Sequence, residues 1–334
     1  MKGKRVVWPL RGQVEIEEFD LPAVGEDQVL VKTDVSLISP GTERAFLLGL
    51  PNAVGSYPQR PGYSNVGEVI DIGAGVTDIA VGDKAASAAG HSSHILLSAN
   101  SAFKIPDGLA EEAAVFFNLC AISLQGVRKA RIELGEPVAV MGQGLIGLLA
   151  LQLAKLSGAF PVIAVDIAEN RLKLALECGA DFALNPKDAD FEDKLVDITK
   201  GEGPSVVIEA TGSPEPVNTA FKVAGWRGRV ILLASTRGET ESVNFYRDVH
   251  KKGLSIIGAH NSVRPGQDSS AAFWTSADDC RLALSLLAHG RLIVDKLITH
   301  RFNGTQAEKA YKMLMDWSEE LLGVILNWNR DLGT

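Results

Sequence analysis

The chain has 334 residues, 46% apolar and 22% charged, with 33 basic against 41 acidic side chains and a net charge of −8. That length suggests about two domains, and the balance excludes extensive disorder. The acidic excess argues against a binder of nucleic-acid backbones, which presents a basic face.

The start, MKGKRVVWPLRGQ, lacks the unbroken apolar stretch of a signal peptide. Up to about residue 120 the chain reads as an antiparallel β region. Val/Ile-rich runs at Val29 to Val35, Val66 to Ile72 and His94 to Leu97 are separated by Gly, Pro and Asp turns such as GAGV at 73–76 and VGD at 81–83. Near Leu134 apolar strands begin to alternate with helical patterns. VAVM (138–141) precedes a helix over 145–157, VIAV (162–165) a helix containing Arg171 to Cys178, FAL (182–184) a helix over 190–200, and VVIE (206–209) one over 215–224. RVILLA (229–234) and LSIIG (254–258) complete six strands. This alternation predicts a parallel sheet covered on both faces. The longest apolar run, Gly144 to Leu151, is far short of the roughly 20 residues that span a bilayer. A polar loop, SVRPGQDSS, then leads to a helix at about 276–289, LITHRF (297–302), a helix at about 305–317 and VILNW (324–328), which read as a return to the first region. Three cysteines stand at no metal or redox spacing, which fits reduced thiols in a cytoplasm.

Gly142-Gln143-Gly144-Leu145-Ile146-Gly147 is a GxGxxG loop between a buried strand and an apolar helix, the context a dinucleotide fingerprint requires. Gly142 permits a tight turn, Gly144 lets backbone approach a pyrophosphate, and Gly147 lets the helix pack closely. Leu145 and Ile146 open the helix, whose free N–H groups and positive end hold an anion. Asp166 ends the second strand, 24 residues after Gly142, where a carboxylate accepts the adenosine ribose hydroxyls and repels a 2′-phosphate, so NAD is expected over NADP. Arg171 either flanks the adenine or neutralises a 2′-phosphate. Thr211, after the fourth strand, either touches ribose or nicotinamide or only starts a turn.

With these residues in hand, the chain resembles the medium-chain dehydrogenase/reductase superfamily, the zinc alcohol dehydrogenase-like enzymes. PGYSNVGEVIDIGAGV (61–76), FKIPDG (103–108), GQGLIG (142–147), VVIEATGS (206–213) and LITHRF (297–302) match in order. The resemblance implies an α/β protein: a GroES-like β domain over 1–121 and 263–334, interrupted by a doubly wound Rossmann domain over 122–262, with the active site in the cleft between them. It also exposes departures. The family's Cys-Gly-Thr-Asp-like site reads Ser39-Pro40-Gly41-Thr42-Glu43, its ligand His falls on Tyr63, and its third ligand on Asn118. Zn²⁺ wants thiolate, imidazole or carboxylate, so a branch without catalytic or structural zinc is expected.

The same resemblance names catalytic candidates. Tyr63 faces the nicotinamide as a phenol donor; Thr42 matches the hydroxyl that relays the substrate proton; Asn118 is an amide donor or orienting group; Glu43 would finish the relay to solvent. Gly67, four residues after Tyr63, excludes the Tyr-x-x-x-Lys arrangement of short-chain enzymes. His91 with His94 is half of a metal site or a strand opening, His250 and His300 satisfy local hydrogen bonds, and His260 at the sixth strand end is structural or a general acid. The expected function is zinc-independent, NAD-dependent hydride transfer with a secondary alcohol or ketone, such as a sugar or polyol derivative. The alternatives are a metal-free NADPH quinone or enal reductase and a non-enzymatic nucleotide-binding protein. A small-molecule substrate, no membrane or nucleic-acid partner, and a homodimer through the edge at Leu254 to Gly258 complete the expectation.

Overall fold

The computed structural model describes residues 2–316 and 320–329. Contacts divide the chain into two compact units, Met1–Asn118 with Cys280–Thr334, and Leu119–Asp279. The segment 263–279 therefore packs with the second unit.

The first unit begins with an antiparallel ribbon of β1 (Lys2–Val7) and β2 (Glu15–Asp20). There follow β3 (Gln28–Ile38), α1 (Pro40–Leu47), β4 (Asn65–Ile72), β5 (Lys84–Ser87), β6 (His94–Ser98), β7 (Phe103–Lys104), α2 (Glu111–Ala114) and the start of α3 (Phe117–Ala130). The second unit holds β8 (Val138–Met141), α4 (Leu145–Leu156), β9 (Val162–Val165), α5 (Glu169–Glu177), β10 (Phe182–Leu184), α6 (Phe191–Ile198), β11 (Val206–Glu209), α7 (Glu215–Val223), β12 (Arg229–Leu232) and β13 (Ser255–Gly258). The chain then runs through α8 (Ser276–Ala288), β14 (Ile298–Asn303), α9 (Ala307–Met315) and β15 (Gly323–Asn327). The predicted last residue of the helix at 305–317 lies outside the described residues.

In the second unit the sheet order is β10-β9-β8-β11-β12-β13, every pairing parallel. This is the Rossmann order, in which the chain reverses direction beside β8. Strands β8, β9 and β11 are buried throughout, as unbroken apolar runs require when helices cover both faces. Among the elements without a counterpart in the sequence reading, beside α1 and α3, is a π-helical turn over Phe245–His250, between β12 and β13. Its Phe245 and Tyr246 are exposed, so it has no apolar stripe to signal a helix, and Asn244 Oδ1 fixes its start by accepting from the Arg247 N–H at 2.9 Å.

In the first unit the sheet order is β14-β15-β3-β4-β5-β7, with β6 also on β3. This is the GroES-like β domain. The chain's last strand returns to it: β15 lies antiparallel on β3, with Leu326 opposite Ser36, while β4 places Asn65 on the other side of Ser36. Ser36 thus sits mid-sheet, and the residues after β15 are delivered to it. Helix α9 buries Ala307, Ala310, Tyr311 and Leu314, an i, i+3, i+4, i+7 stripe facing the core.

Candidate active site

In the second unit the three glycines have three different geometries. Gly142 has φ of +87°, and a Cβ there would lie 2.8 Å from the Thr211 backbone nitrogen. At Gly147 a Cβ would come within 1.7 Å of the Gly142 carbonyl oxygen. At Gly144 a Cβ would meet nothing within 4 Å. Two glycines are therefore demanded by the protein's own backbone, whereas Gly144 faces open space. Gly144 is also the N-cap of the twelve-residue α4, with no side-chain cap, so the N–H groups of Leu145, Ile146 and Gly147 at the first turn are left for a ligand. These features fit a dinucleotide pyrophosphate.

Asp166 reaches back to the loop. Its Oδ2 accepts from the Gln143 N–H at 2.6 Å and its Oδ1 from the Ala168 N–H at 2.9 Å. The carboxylate is 7% exposed and holds the loop. Arg171 Nε is buried with no hydrogen-bond partner. Thr211 is occupied locally: its N–H and hydroxyl both donate to Glu209 Oε1, and its Oγ1 accepts from the Ser213 N–H at 3.1 Å. That bonding organises the turn after β11. Glu209 itself is fully buried, and burial pushes its carboxyl above the usual range against the opposing pull of the Thr211 hydrogen bonds.

In the first unit the predicted residues fall around 39–43, 63 and 118. Asn118 Nδ2 donates to the Tyr63 carbonyl at 2.6 Å, and the Ser64 hydroxyl donates to the Val115 carbonyl. The start of α3 therefore fixes the backbone that carries Tyr63, and Asn118 acts here as an orienting group. Thr42 is partly buried on α1, one residue before Glu43.

Glu43 does not lead to solvent. It is 3% exposed. Its Oε1 accepts from the Ser39 N–H at 2.8 Å, and its Oε2 accepts from His91 Nε2 at 3.0 Å and from the Tyr311 hydroxyl. On the other side of the imidazole, His91 Nδ1 lies 2.8 Å from Ser36 Oγ, to which Trp328 Nε1 donates at 3.0 Å. An ionised carboxylate only accepts, so His91 presents its Nε2–H to Glu43, and in the neutral imidazole Nδ1 then accepts from the Ser36 hydroxyl, which also accepts from Trp328. Burial, and then the Glu43 charge, raise the Tyr311 phenol well above its ordinary range. A buried carboxylate is costly unless paired and hydrogen-bonded, and this one has three donors. Tyr63 adds an electrostatic contribution at Tyr311, so it is felt from this cluster.

His91 and His94 do not converge. His91 points at Ser36 and Glu43, while His94 Nδ1 lies 3.0 Å from Ser93 Oγ and burial lowers its pKa. Among the described residues no three His, Cys, Asp or Glu side chains gather as a metal site. His300 Nδ1 lies 3.0 Å from Thr299 Oγ1, His260 Nδ1 lies 2.8 Å from Ser262 Oγ, and His250 stacks on Tyr246. The sequence reading missed Ser36, Tyr311 and Trp328. Tyr311 carries no signal beyond an aromatic on a helical apolar stripe, and the other two are set by strand register.

A Rossmann unit with an open glycine loop, inserted into a GroES-like unit, defines a nucleotide-dependent dehydrogenase. Residues 146–272 match the family model described as "Zinc-binding dehydrogenase". The chain is 30% identical over 258 residues to D-guloside 3-dehydrogenase of Shigella flexneri, covering 76% of this chain and 73% of that one. It is 27% identical over 333 residues to L-threonine 3-dehydrogenase of Pyrococcus abyssi, covering 90% and 91%. A crystal structure of a putative zinc-binding dehydrogenase from Sinorhizobium meliloti 1021 bound to NADP superposes with a TM-score of 0.84 at 25% identity, covering 98% and 99%. The chain belongs to the zinc-binding dehydrogenase family within the medium-chain dehydrogenase/reductase superfamily, and it is an oxidoreductase with a nicotinamide cofactor. The family's metal does not suit the donors at its expected position, because Ser39, Tyr63 and Asn118 offer only a hydroxyl, a phenol and an amide. Among the described residues no helix is long and apolar enough to cross a membrane.

Proposed function

We propose that this protein is a zinc-independent, NAD-dependent dehydrogenase that moves hydride between nicotinamide and a secondary alcohol or ketone of a sugar or polyol derivative. The observation that carries the reading is the pairing of an open Gly144 with an Asp166 carboxylate anchored to the same loop. The likeness to a D-guloside 3-dehydrogenase supports the substrate class. The second unit serves as nucleotide domain, through Gly142, Gly144, Leu145, Ile146, Gly147 and Asp166, with Arg171 and Thr211 at its margin. The first unit serves as catalytic domain, and the exposed edge strand β13, with Ile256 39% exposed, supports a homodimer.

When bound, the nicotinamide supplies the hydride chemistry. The chain's part is to hold the substrate oxygen and its proton. Tyr63 donates its phenol proton as a hydrogen bond to that oxygen; an ordinary phenol keeps this proton at neutral pH. Asn118 holds the Tyr63 backbone in place. As the alcohol becomes a carbonyl, the Thr42 hydroxyl accepts a hydrogen bond from the substrate hydroxyl and relays its proton by donating its own to solvent water, which carries the proton away. One well-placed donor is worth about 3–4 kcal/mol in such a role, so Tyr63 replaces part of what a metal supplies.

A second reading, NADP, is favoured by the NADP-bound structural relative and by the unpartnered Nε of Arg171. Fluorescence titration with NADH and NADPH separates the two. Tighter NADH binding upholds the Asp166 argument, and tighter NADPH binding transfers the role to Arg171.

A further inference from the structure

The second unit has a cavity that shares no lining residue with the glycine loop. Its walls include Gln125, Arg128, Lys129, Arg264, Phe273 and Trp274, with Asp279 at its edge. Asp279 is already divided between two arginines: Oδ1 accepts from Arg128 Nε at 2.9 Å, and Oδ2 from Arg264 Nη1 at 2.5 Å. The Arg128 guanidinium also lies over the Trp274 ring, 3.5 Å from its centroid, and Arg264 Nη2 donates to the Ala121 carbonyl at 2.5 Å. Both arginines are thus fixed.

Lys129 is not. It is 9% exposed, and its ammonium lies 4.4 Å from the centroid of Phe273 with no carboxylate or carbonyl partner among the described residues. Burial, and then Arg264, lower its pKa. It belongs to the last turn of α3, whose C-terminal dipole offers only about half a countercharge. Beside it, Gln125 donates through Nε2 to the His260 carbonyl at 2.6 Å, which leaves its Oε1 buried with no partner. The cavity therefore holds unmet cationic donors, Lys129 and Arg128 Nη2, and one unmet acceptor, Gln125 Oε1.

We infer that this cavity is a binding site for a phosphate group that retains a proton, with Lys129 and Arg264 facing its charge and Gln125 Oε1 accepting its P–O–H. A ligand that is anionic and also a hydrogen-bond donor satisfies both kinds of unmet group at once. Sulfate, carrying charge but no proton at neutral pH, satisfies only the first.

The test is calorimetric titration of the NADH-saturated protein with inorganic phosphate, methyl phosphate and sulfate at equal ionic strength. Saturable phosphate binding is expected. Lys129→Met should weaken it by about tenfold or more, the loss expected for one charge-assisted hydrogen bond, whereas Lys129→Arg should retain it. Tighter methyl phosphate assigns the site to a phosphate monoester, and tighter inorganic phosphate to the free ion; either upholds it. If the methionine variant does not fold, Gln125→Glu decides, because a carboxylate there should abolish binding. No saturable phosphate binding, binding undiminished in both Lys129→Met and Gln125→Glu, or sulfate bound as tightly as phosphate would overturn the inference.

Discussion

The glycine loop of the nucleotide unit and the Glu43 cluster of the β unit use polar groups in opposite ways. Around Glu43 the donors of Ser39, His91 and Tyr311 meet the carboxylate, and Ser36 and Trp328 complete the imidazole. At the loop, Gly144 borders open space and the first turn of α4 lacks a side-chain cap. A satisfied buried network rigidifies, while an unsatisfied helix terminus recruits an anion. We read the first as the platform behind Thr42 and Tyr63 and the second as the place where the cofactor phosphates dock.

The contrast is broken most forcefully at Gly147. Alanine there would press on the Gly142 carbonyl, which is backbone and cannot step aside. Gly147→Ala should lose stability beyond about 4 kcal/mol or fail to fold. Gly144→Ala should melt like the parent protein yet bind NADH at least about tenfold more weakly. Thermal melts with parallel NADH titrations read both. If the two variants behave alike, the distinction between structural and ligand-facing glycines is wrong.

Next in size is the cluster. His91→Leu leaves Glu43 buried with one donor fewer, and losing a hydrogen bond to a buried charged group costs about 1.5–3 kcal/mol. Urea unfolding measures it, and a loss under 1 kcal/mol, the usual worth of an exposed pair, would mean the cluster is not closed. Tyr63→Phe acts on chemistry instead. It should lower kcat about 10²- to 10³-fold, the effect of losing one donor to the reacting oxygen, with an unchanged melting temperature. An unchanged kcat would remove Tyr63 from the reaction.

The smallest expected effect is pH-dependent. The folded protein holds the Glu209 proton more tightly than an unfolded chain, whose carboxyl titrates near 4.5. Its stabilising contribution is therefore complete below that value and is lost as pH rises through the raised one. Glu209→Gln should gain melting temperature relative to the parent protein as pH rises from 4 toward 8, and a gap that narrows over that range would contradict the sign.

What was legible in the sequence follows the same divide. Strand, glycine loop, helix and Asp166 lie close along the chain, and local rules of turn geometry and apolar runs suffice to read them. The Glu43 cluster joins residues 36, 43, 91, 311 and 328, which meet only because β15 returns to β3 in register with Ser36. The return itself was read from the sequence, but no local pattern encodes its register, so Glu43 read as an outward relay and His91 as a partner for His94. Thr211 was ambiguous because a threonine after a strand serves a turn and a ligand equally well; only the geometry shows its hydroxyl given to Glu209.

The most direct test of a metal-free hydride site is turnover by protein stripped with a strong chelator and shown by elemental analysis to hold only substoichiometric zinc. Assayed with NAD⁺ and a panel of D-gulosides and polyols, it should form NADH at the same rate as untreated protein, with no gain on adding zinc. Activity that disappears on stripping and returns in proportion to added zinc would contradict the account.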